Sequence, residues 1–189
     1  MTLSINSLLS RIHKALQKEQ IPYMVIGGQA VLFYDLVRMT RDVDITLGVG
    51  REGFPKLSAV CKVLKLKILV KEPQSFVGKT HVLPALDVLS GLRVDFIFSN
   101  TPYETQAIRR AKRIRIGRTR VAVSSLEDLL IHKLVAGRPI DLEDARILLA
   151  KHRGKVDLRY VRGWLRQFAA LGTLRANPLT TLNTLQKSL

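Results

Sequence analysis

Cysteine is nearly absent from this chain of 189 residues: Cys61 stands alone, which excludes an internal disulfide framework and any cysteine-rich zinc site. It falls within Pro55 to Leu66, a run whose pattern predicts a helix, and reads there as a small buried apolar side chain. The four histidines, His13, His81, His132 and His152, are scattered without metal-ligand spacing. Long hydrophobic runs are missing too. No window approaches a membrane span, so no membrane partner is expected. Met1 to Gln20 is amphipathic, with Leu3, Leu8, Leu9, Ile12 and Leu16 on one helical face, and does not resemble a signal peptide. A cytoplasmic location is the default expectation. Internal repeats and low-complexity segments are also absent. The last scarcity is negative charge: 15 Asp and Glu stand against 31 Lys and Arg, a net charge of +16.

That imbalance has consequences. Interspersed ion pairs would leave a charge near zero, so a surplus of this size points to a polyanionic partner, with RNA the plainest candidate. The densest stretch is Arg109-Arg110-Ala111-Lys112-Arg113-Ile114-Arg115-Ile116-Gly117-Arg118-Thr119-Arg120, seven cations in twelve residues. Alternation places Arg113 and Arg115 on one face of a strand and Ile114 and Ile116 on the other. Gly117 can turn this strand back into Thr119 to Val123 as a hairpin. Such a ribbon, apolar beneath and cationic above, can track a phosphate backbone through Arg109, Arg110, Arg113, Arg115, Arg118 and Arg120.

The scarce acids are concentrated where chemistry would need them. Asp42-Val43-Asp44-Ile45 alternates, so a strand would turn two carboxylates to one face and two apolar side chains to a core. Hard cations such as Mg²⁺ take oxygen ligands, and paired carboxylates can hold one or two of them. Upstream, Ile21 to Ile26 reads as a short buried strand ended by Gly27-Gly28, and Gln29 to Leu36 reads as a helix. A strand, two glycines and a helix N-terminus allow phosphate to approach backbone N–H groups. A third acid has a similar setting: Leu92-Arg93-Val94-Asp95-Phe96-Ile97-Phe98 reads as a strand bounded by Ser90-Gly91 and Ser99-Asn100. If it pairs beside the Asp42 strand, three carboxylates converge, an arrangement that is costly without a cation.

These motifs resemble the nucleotidyltransferase superfamily built on the DNA polymerase β-like catalytic core. Its pattern of apolar-Gly-Gly/Ser, Asp-x-Asp and a later lone acid is filled by Ile26-Gly27-Gly28, Asp42-Val43-Asp44 and Val94-Asp95-Phe96. Within it, Arg38-Met39-Thr40-Arg41-Asp42-Val43-Asp44 is similar to the Arg-x-Thr-x-Asp-x-Asp of the minimal branch that includes the AbiEii/MenT-type toxins. Lys133, Arg138 and Ile140-Asp141-Leu142-Glu143-Asp144 match that branch more loosely, and the resemblance covers roughly residues 20 to 165. It implies a transferase that moves a nucleotide from an NTP to an acceptor hydroxyl with Mg²⁺ or Mn²⁺. Asp42, Asp44 and Asp95 would bind metal, Gly27, Gly28 and Thr40 would meet the nucleotide, Lys133 would contact its phosphate, and Asp144 would support Lys133 or act as a base. The expected acceptor is RNA, a tRNA end first, with a cognate antitoxin as a further partner. The alternatives are adenylylation of a protein side chain and a non-catalytic nucleic-acid-binding or toxin–antitoxin module. Small cationic antibiotics are disfavoured, since a basic protein repels them.

The expected fold is α/β (α+β), a polymerase β-like core with a mixed sheet flanked by helices and a helical C-terminal part. The core is assigned to residues 1–124 and the helical part to 125–189, packed on it as one compact unit. Helices are expected at 3–19, 28–36, 52–65, 103–110, from the Ser125 cap to about 136, at 141–151 and at 157–169. Strands are expected at 22–26, 42–47, near 67–71, about 79–83 and 92–98, with the basic hairpin at 112–123. Residues 171–189 read as a tail or a last short helix.

Overall fold

The structure is a computed structural model that describes residues 5–34, 36, 40, 42–99, 101–172, 174 and 176–187. The chain divides into two compact units, one formed by Met1–Gln29 with Met39–Ser124 and the other by Ala30–Arg38 with Ser125–Leu189.

The first unit is organised by a mixed sheet of seven strands: β1 (Tyr23–Ile26), β2 (Asp42–Leu47), β3 (Leu66–Ile68), β4 (Val82–Asp87), β5 (Leu92–Phe98), β6 (Lys112–Ile116) and β7 (Thr119–Val123). Their spatial order is β3-β4-β5-β2-β1-β7-β6. The β2–β5 and β1–β7 pairs are parallel and the others antiparallel. Alternation makes one face apolar: Val25, Val43, Ile45, Leu47, Val94, Phe96, Phe98, Val121 and Val123 are all buried. The N-terminal helix α1 (Ile5–Lys18) lies on that side, burying Leu8, Leu9, Ile12 and Leu16. Its His13 Nδ1 meets the hydroxyl of Tyr23, which has the apolar parity, at 2.9 Å. The Arg11 guanidinium donates to Asp87 at the end of β4 (3.0 Å) and to the Leu64 carbonyl of α3 (Phe54–Leu64) at 2.9 Å, tying three elements together. Burial pushes the Asp87 carboxyl upward, but hydrogen bonds from Arg11 and Ser90 and the Arg11 charge outweigh it and hold the group below its ordinary range.

Two expectations shift here. The helix foreseen over 52–65 is a short 3-10 turn, Arg51–Gly53, leading into α3, because Pro55 fits only the first turn of an α-helix. The strand expected at about 79–83 gives way to helix α4 (Pro73–Thr80), followed by β4 from Val82. Pro73 starts α4 and His81, at φ 59, closes it. Helix α5 (Pro102–Arg110) starts at Thr101, whose hydroxyl accepts from the Glu104 N–H. The helix foreseen over 28–36 is shorter: α2 runs Gly27–Leu32.

The second unit contains α6 (Leu126–Ala136), α7 (Pro139–Lys151), α8 (Leu158–Ala170) and α9 (Pro178–Lys187). The last of these resolves the 171–189 segment in favour of a helix. Packing runs from α6 to α7, α8 and α9. Ser125 caps α6 as its spacing foretold, accepting from the Asp128 N–H at 3.1 Å. Gly137 ends α6 in the left-handed conformation that its C-cap requires. Asp128 is fully buried and also accepts from the Tyr160 hydroxyl at 2.7 Å, which fastens α8 to the start of α6.

Candidate active site

Strand β2 presents Asp42 and Asp44 on one face, two residues apart, while Val43 and Ile45 enter the core. Its parallel neighbour β5 sets Asp95 directly opposite Asp44 and Arg93 directly opposite Asp42. On the other side Ile26 faces Asp44 across the antiparallel β1. All three acids therefore share the face opposite the apolar core, as the sequence expected. Asp42 is exposed, and Asp44 and Asp95 are half-buried.

The Gly27-Gly28 pair has a local cause in these side chains. Gly27 has φ +66, and a Cβ there would lie 2.0 Å from Asp44 Oδ2. A Cβ on Gly28 would lie 2.8 Å from Thr40 Oγ1. Thus the first glycine admits the Asp44 carboxylate and the second admits the threonine expected at the nucleotide. Thr40 Oγ1 also donates to the Asp42 carbonyl at 3.3 Å, joining the approach to β2 to its first acid. Helix α2 behind the glycines has only six residues. Arg38, Met39 and Arg41 of the Arg-x-Thr-x-Asp-x-Asp motif lie outside the described residues.

The acids share a face without being drawn into one cluster. Among the described residues, no three His, Cys, Asp or Glu side chains are gathered closely enough to hold an ion. Asp95 is engaged elsewhere: Arg93 Nε donates to its Oδ1 at 2.9 Å. Asp95, first by hydrogen bond and then by charge, raises the guanidinium pKa, and Asp42 and Asp44 add to it. The donor set suits a hard divalent cation in chemistry and in placement, being three carboxylates on adjacent strands. Arg93 was not foreseen as part of the site. Its signal was present, since i and i+2 on a strand share a face.

The residues expected from the C-terminal helices have a different setting. Lys133 Nζ lies 2.8 Å from Asp141 Oδ1 and 2.7 Å from Asp144 Oδ2. Lys133 is only 4% exposed, and both carboxylates are buried with it. Arg138 closes the group by donating through Nε to Asp141 Oδ2. Burial pushes the Asp141 carboxyl up, while hydrogen bonds and charge from Arg138 and Lys133 prevail and hold it below the usual carboxylate range. The ammonium expected to reach a phosphate is held between two carboxylates, one of them the Asp144 expected as its support or as a base.

The basic hairpin forms as foreseen. Arg115 pairs with Arg120 and Arg113 with Ala122, around a two-residue turn of Gly117, at φ +59, and Arg118. Arg109, Arg110, Arg113, Arg115, Arg118 and Arg120 are exposed, whereas Ile116, Val121 and Val123 are buried. Val123 is bridged to Val25, and Val25 faces Ile45. The alternation therefore carries across the sheet: Arg113, Arg115 and Arg120 have the parity of Asp44, and Ile114 and Val121 that of Ile45. Closeness in sequence misleads in one respect. β6 lies four strands from β5, about 19 Å at the usual strand spacing, so the ribbon is not adjacent to Asp95.

No protein-family model matches the sequence, and no curated protein matches it either. Solved structures do. The solution structure of the antibiotic-resistance factor ANT(2'')-Ia aligns with a TM-score of 0.60 at 16% identity, over 88% of this chain and 94% of that one. An antigenic nucleotidyltransferase-like protein from Paracoccidioides brasiliensis aligns at 0.55 and 16% identity, over 86% and 87%. The lincosamide antibiotic adenylyltransferase LnuA, with lincomycin bound, aligns at 0.54 and 16% identity, over 78% and 98%. At such identities the likeness establishes the fold, and the fold is that of nucleotidyltransferases.

Proposed function

We propose that this chain, carrying the nucleotidyltransferase fold, is a metal-dependent enzyme that transfers a nucleotide from an NTP to a hydroxyl of RNA. The observation that carries the reading is the register of Asp44 against Asp95, with Asp42 on the same exposed face. Asp42, Asp44 and Asp95 would hold Mg²⁺ or Mn²⁺, which when bound neutralises the phosphate charge. Gly27 and Gly28 leave room beside Asp44 and Thr40 for the nucleotide. In the transfer, the acceptor oxygen bonds to the α-phosphorus, the bond to pyrophosphate breaks, and Asp95 takes the hydroxyl proton. Such chemistry depends mainly on position and charge neutralisation, which acids on two rigid strands can supply. Lys133 and Asp144 are assigned to holding α6 and α7 together, because their charged ends are buried against each other and Asp141.

RNA is favoured as acceptor by Arg113, Arg115 and Arg120, which share the parity of the acids, and by the net charge of +16. The same charge disfavours a polycationic antibiotic as acceptor, whatever the fold's other members accept. A tRNA end and a toxin role with its antitoxin rest on the motif around Asp42 alone.

The test is incubation of the protein with each labelled NTP, Mg²⁺ and total RNA. Label on RNA is expected. If phosphates are contacted, RNA affinity falls linearly with salt on a log–log plot, and replacing Arg113, Arg115 and Arg120 by Gln lowers the slope by up to about three charges' worth. Label on protein alone would replace RNA by a protein hydroxyl. No transfer with any nucleotide would leave a nucleic-acid-binding module.

A further inference from the structure

Three carboxylates on one face repel one another, and the fold supplies its own cation among them. Arg93 is the side chain opposite Asp42 and two residues before Asp95 on the same face, with its Nε 2.9 Å from Asp95 Oδ1. It remains 49% exposed, so it is not locked in a core. With Asp42, Asp44 and Asp95 ionised, its charge reduces the local sum from −3 to −2, which one divalent cation would neutralise.

We propose that Arg93 is a positioning residue: its guanidinium draws Asp95 away from Asp42 and Asp44, stands in for a missing cation, and is displaced when metal closes the three carboxylates together. The inference rests on the nucleotidyltransfer reading of this site and adds to it how the site opens and closes. The geometry explains why three acids in register do not yet form a cluster. An exposed ion pair of this kind is weak enough for a divalent ion to displace. Arg93 thereby sets a threshold: metal must compete with an internal cation, so binding is weaker than the carboxylates alone would give. Lysine would keep the charge and lose the Nε contact, while glutamine would lose both.

The experiment titrates MnCl₂ alone into the full chain and reads free Mn²⁺ by electron paramagnetic resonance, without nucleotide. Arg93→Gln should bind Mn²⁺ roughly three- to tenfold more tightly than wild type, Arg93→Lys should stay near wild type, and Asp44→Ala should lose the ion. Equal or weaker binding by a folded Arg93→Gln, with binding still lost in Asp44→Ala, would overturn the latch and leave the site reading intact. Equal binding by wild type and Asp44→Ala would overturn the site reading itself. A second readout needs no variant at this position. In ¹⁵N-labelled wild type, the Arg93 Nε–H resonance should shift as Mg²⁺ saturates the protein, and a resonance that stays fixed at saturation would also overturn the proposal.

Discussion

Two groups of charges in this molecule are built from the same materials and come to opposite ends. In the first unit, Asp42, Asp44 and Asp95 share one guanidinium, that of Arg93, on an open strand face. In the second, Asp141 and Asp144 meet Lys133 and Arg138, and the charges cancel out of water. Burial is tolerated where the sum is zero and every charged end has a partner. The other group keeps a negative excess, and that excess can exist only where solvent or a ligand answers it. Acids that fold the chain and acids that can act on something else are distinguished by what their neighbours leave uncancelled.

Removing one member of each group should break them in different ways. Asp44→Ala should lower nucleotide transfer on the order of 10⁴-fold, about 5.5 kcal/mol of transition-state stabilisation, while thermal unfolding stays unchanged or moves up as repulsion is relieved. Steady-state transfer beside a melting curve reads both, and retained turnover in a folded variant would end the distinction. Lys133→Met should do the reverse, leaving two buried carboxylates without their ammonium at a loss of about 3–5 kcal/mol of stability. Chemical denaturation measures this. A variant as stable as wild type but unable to bind nucleotide would return Lys133 to the phosphate-binding role its sequence position suggested.

A smaller effect sharpens the contrast within the second unit. Burial, and then the Lys133 charge, lowers the His132 pKa to about 4. An unfolded histidine titrates near 6.5, so between those values the unfolded chain takes up a proton that the fold refuses. Stability should therefore be full above about pH 6.5 and fall toward pH 4. The imidazole keeps partial exposure, which limits the loss to roughly 2 kcal/mol. Asp141, held below its ordinary range, adds a further loss only at still lower pH. Melting temperatures across pH 4–8 should flatten in His132→Gln, and a wild-type curve already flat there would contradict the assignment.

Much of the first unit was legible because period-2 alternation is a strong signal when acids and β-branched residues take turns, as in Asp42 to Ile45 and Arg113 to Ile116. Capping was readable for the same local reason at Ser125. The helix Pro73–Thr80 was not. Among its described residues only Val77 is buried, so no apolar stripe marks it. Pairing between distant segments also leaves no trace in a single sequence. Asp44 opposite Asp95 could be hoped for, but the strand order that moves β6 four places from β5 could not be read. Arg93 shows the remaining gap. Its face followed from alternation, whereas its choice of Asp95 as partner depends on rotamers that only the packed sheet fixes. The ion group at Lys133 is similar, since its spacing fits a ligand contact and a buried clamp equally well.

An open sheet of seven strands has two unpaired borders, and each is an invitation to growth by backbone pairing with another chain. One border here is β3, three residues long, with exposed Lys65 and Lys67 at hand. The other is β6, five residues long, bearing exposed Lys112, Arg113 and Arg115. Short, like-charged borders repel their copies. Part of the cationic surplus thus acts as a guard against fibrillar self-assembly, independent of any ligand, and a protein stripped of these charges would trade solubility for a sticky rim.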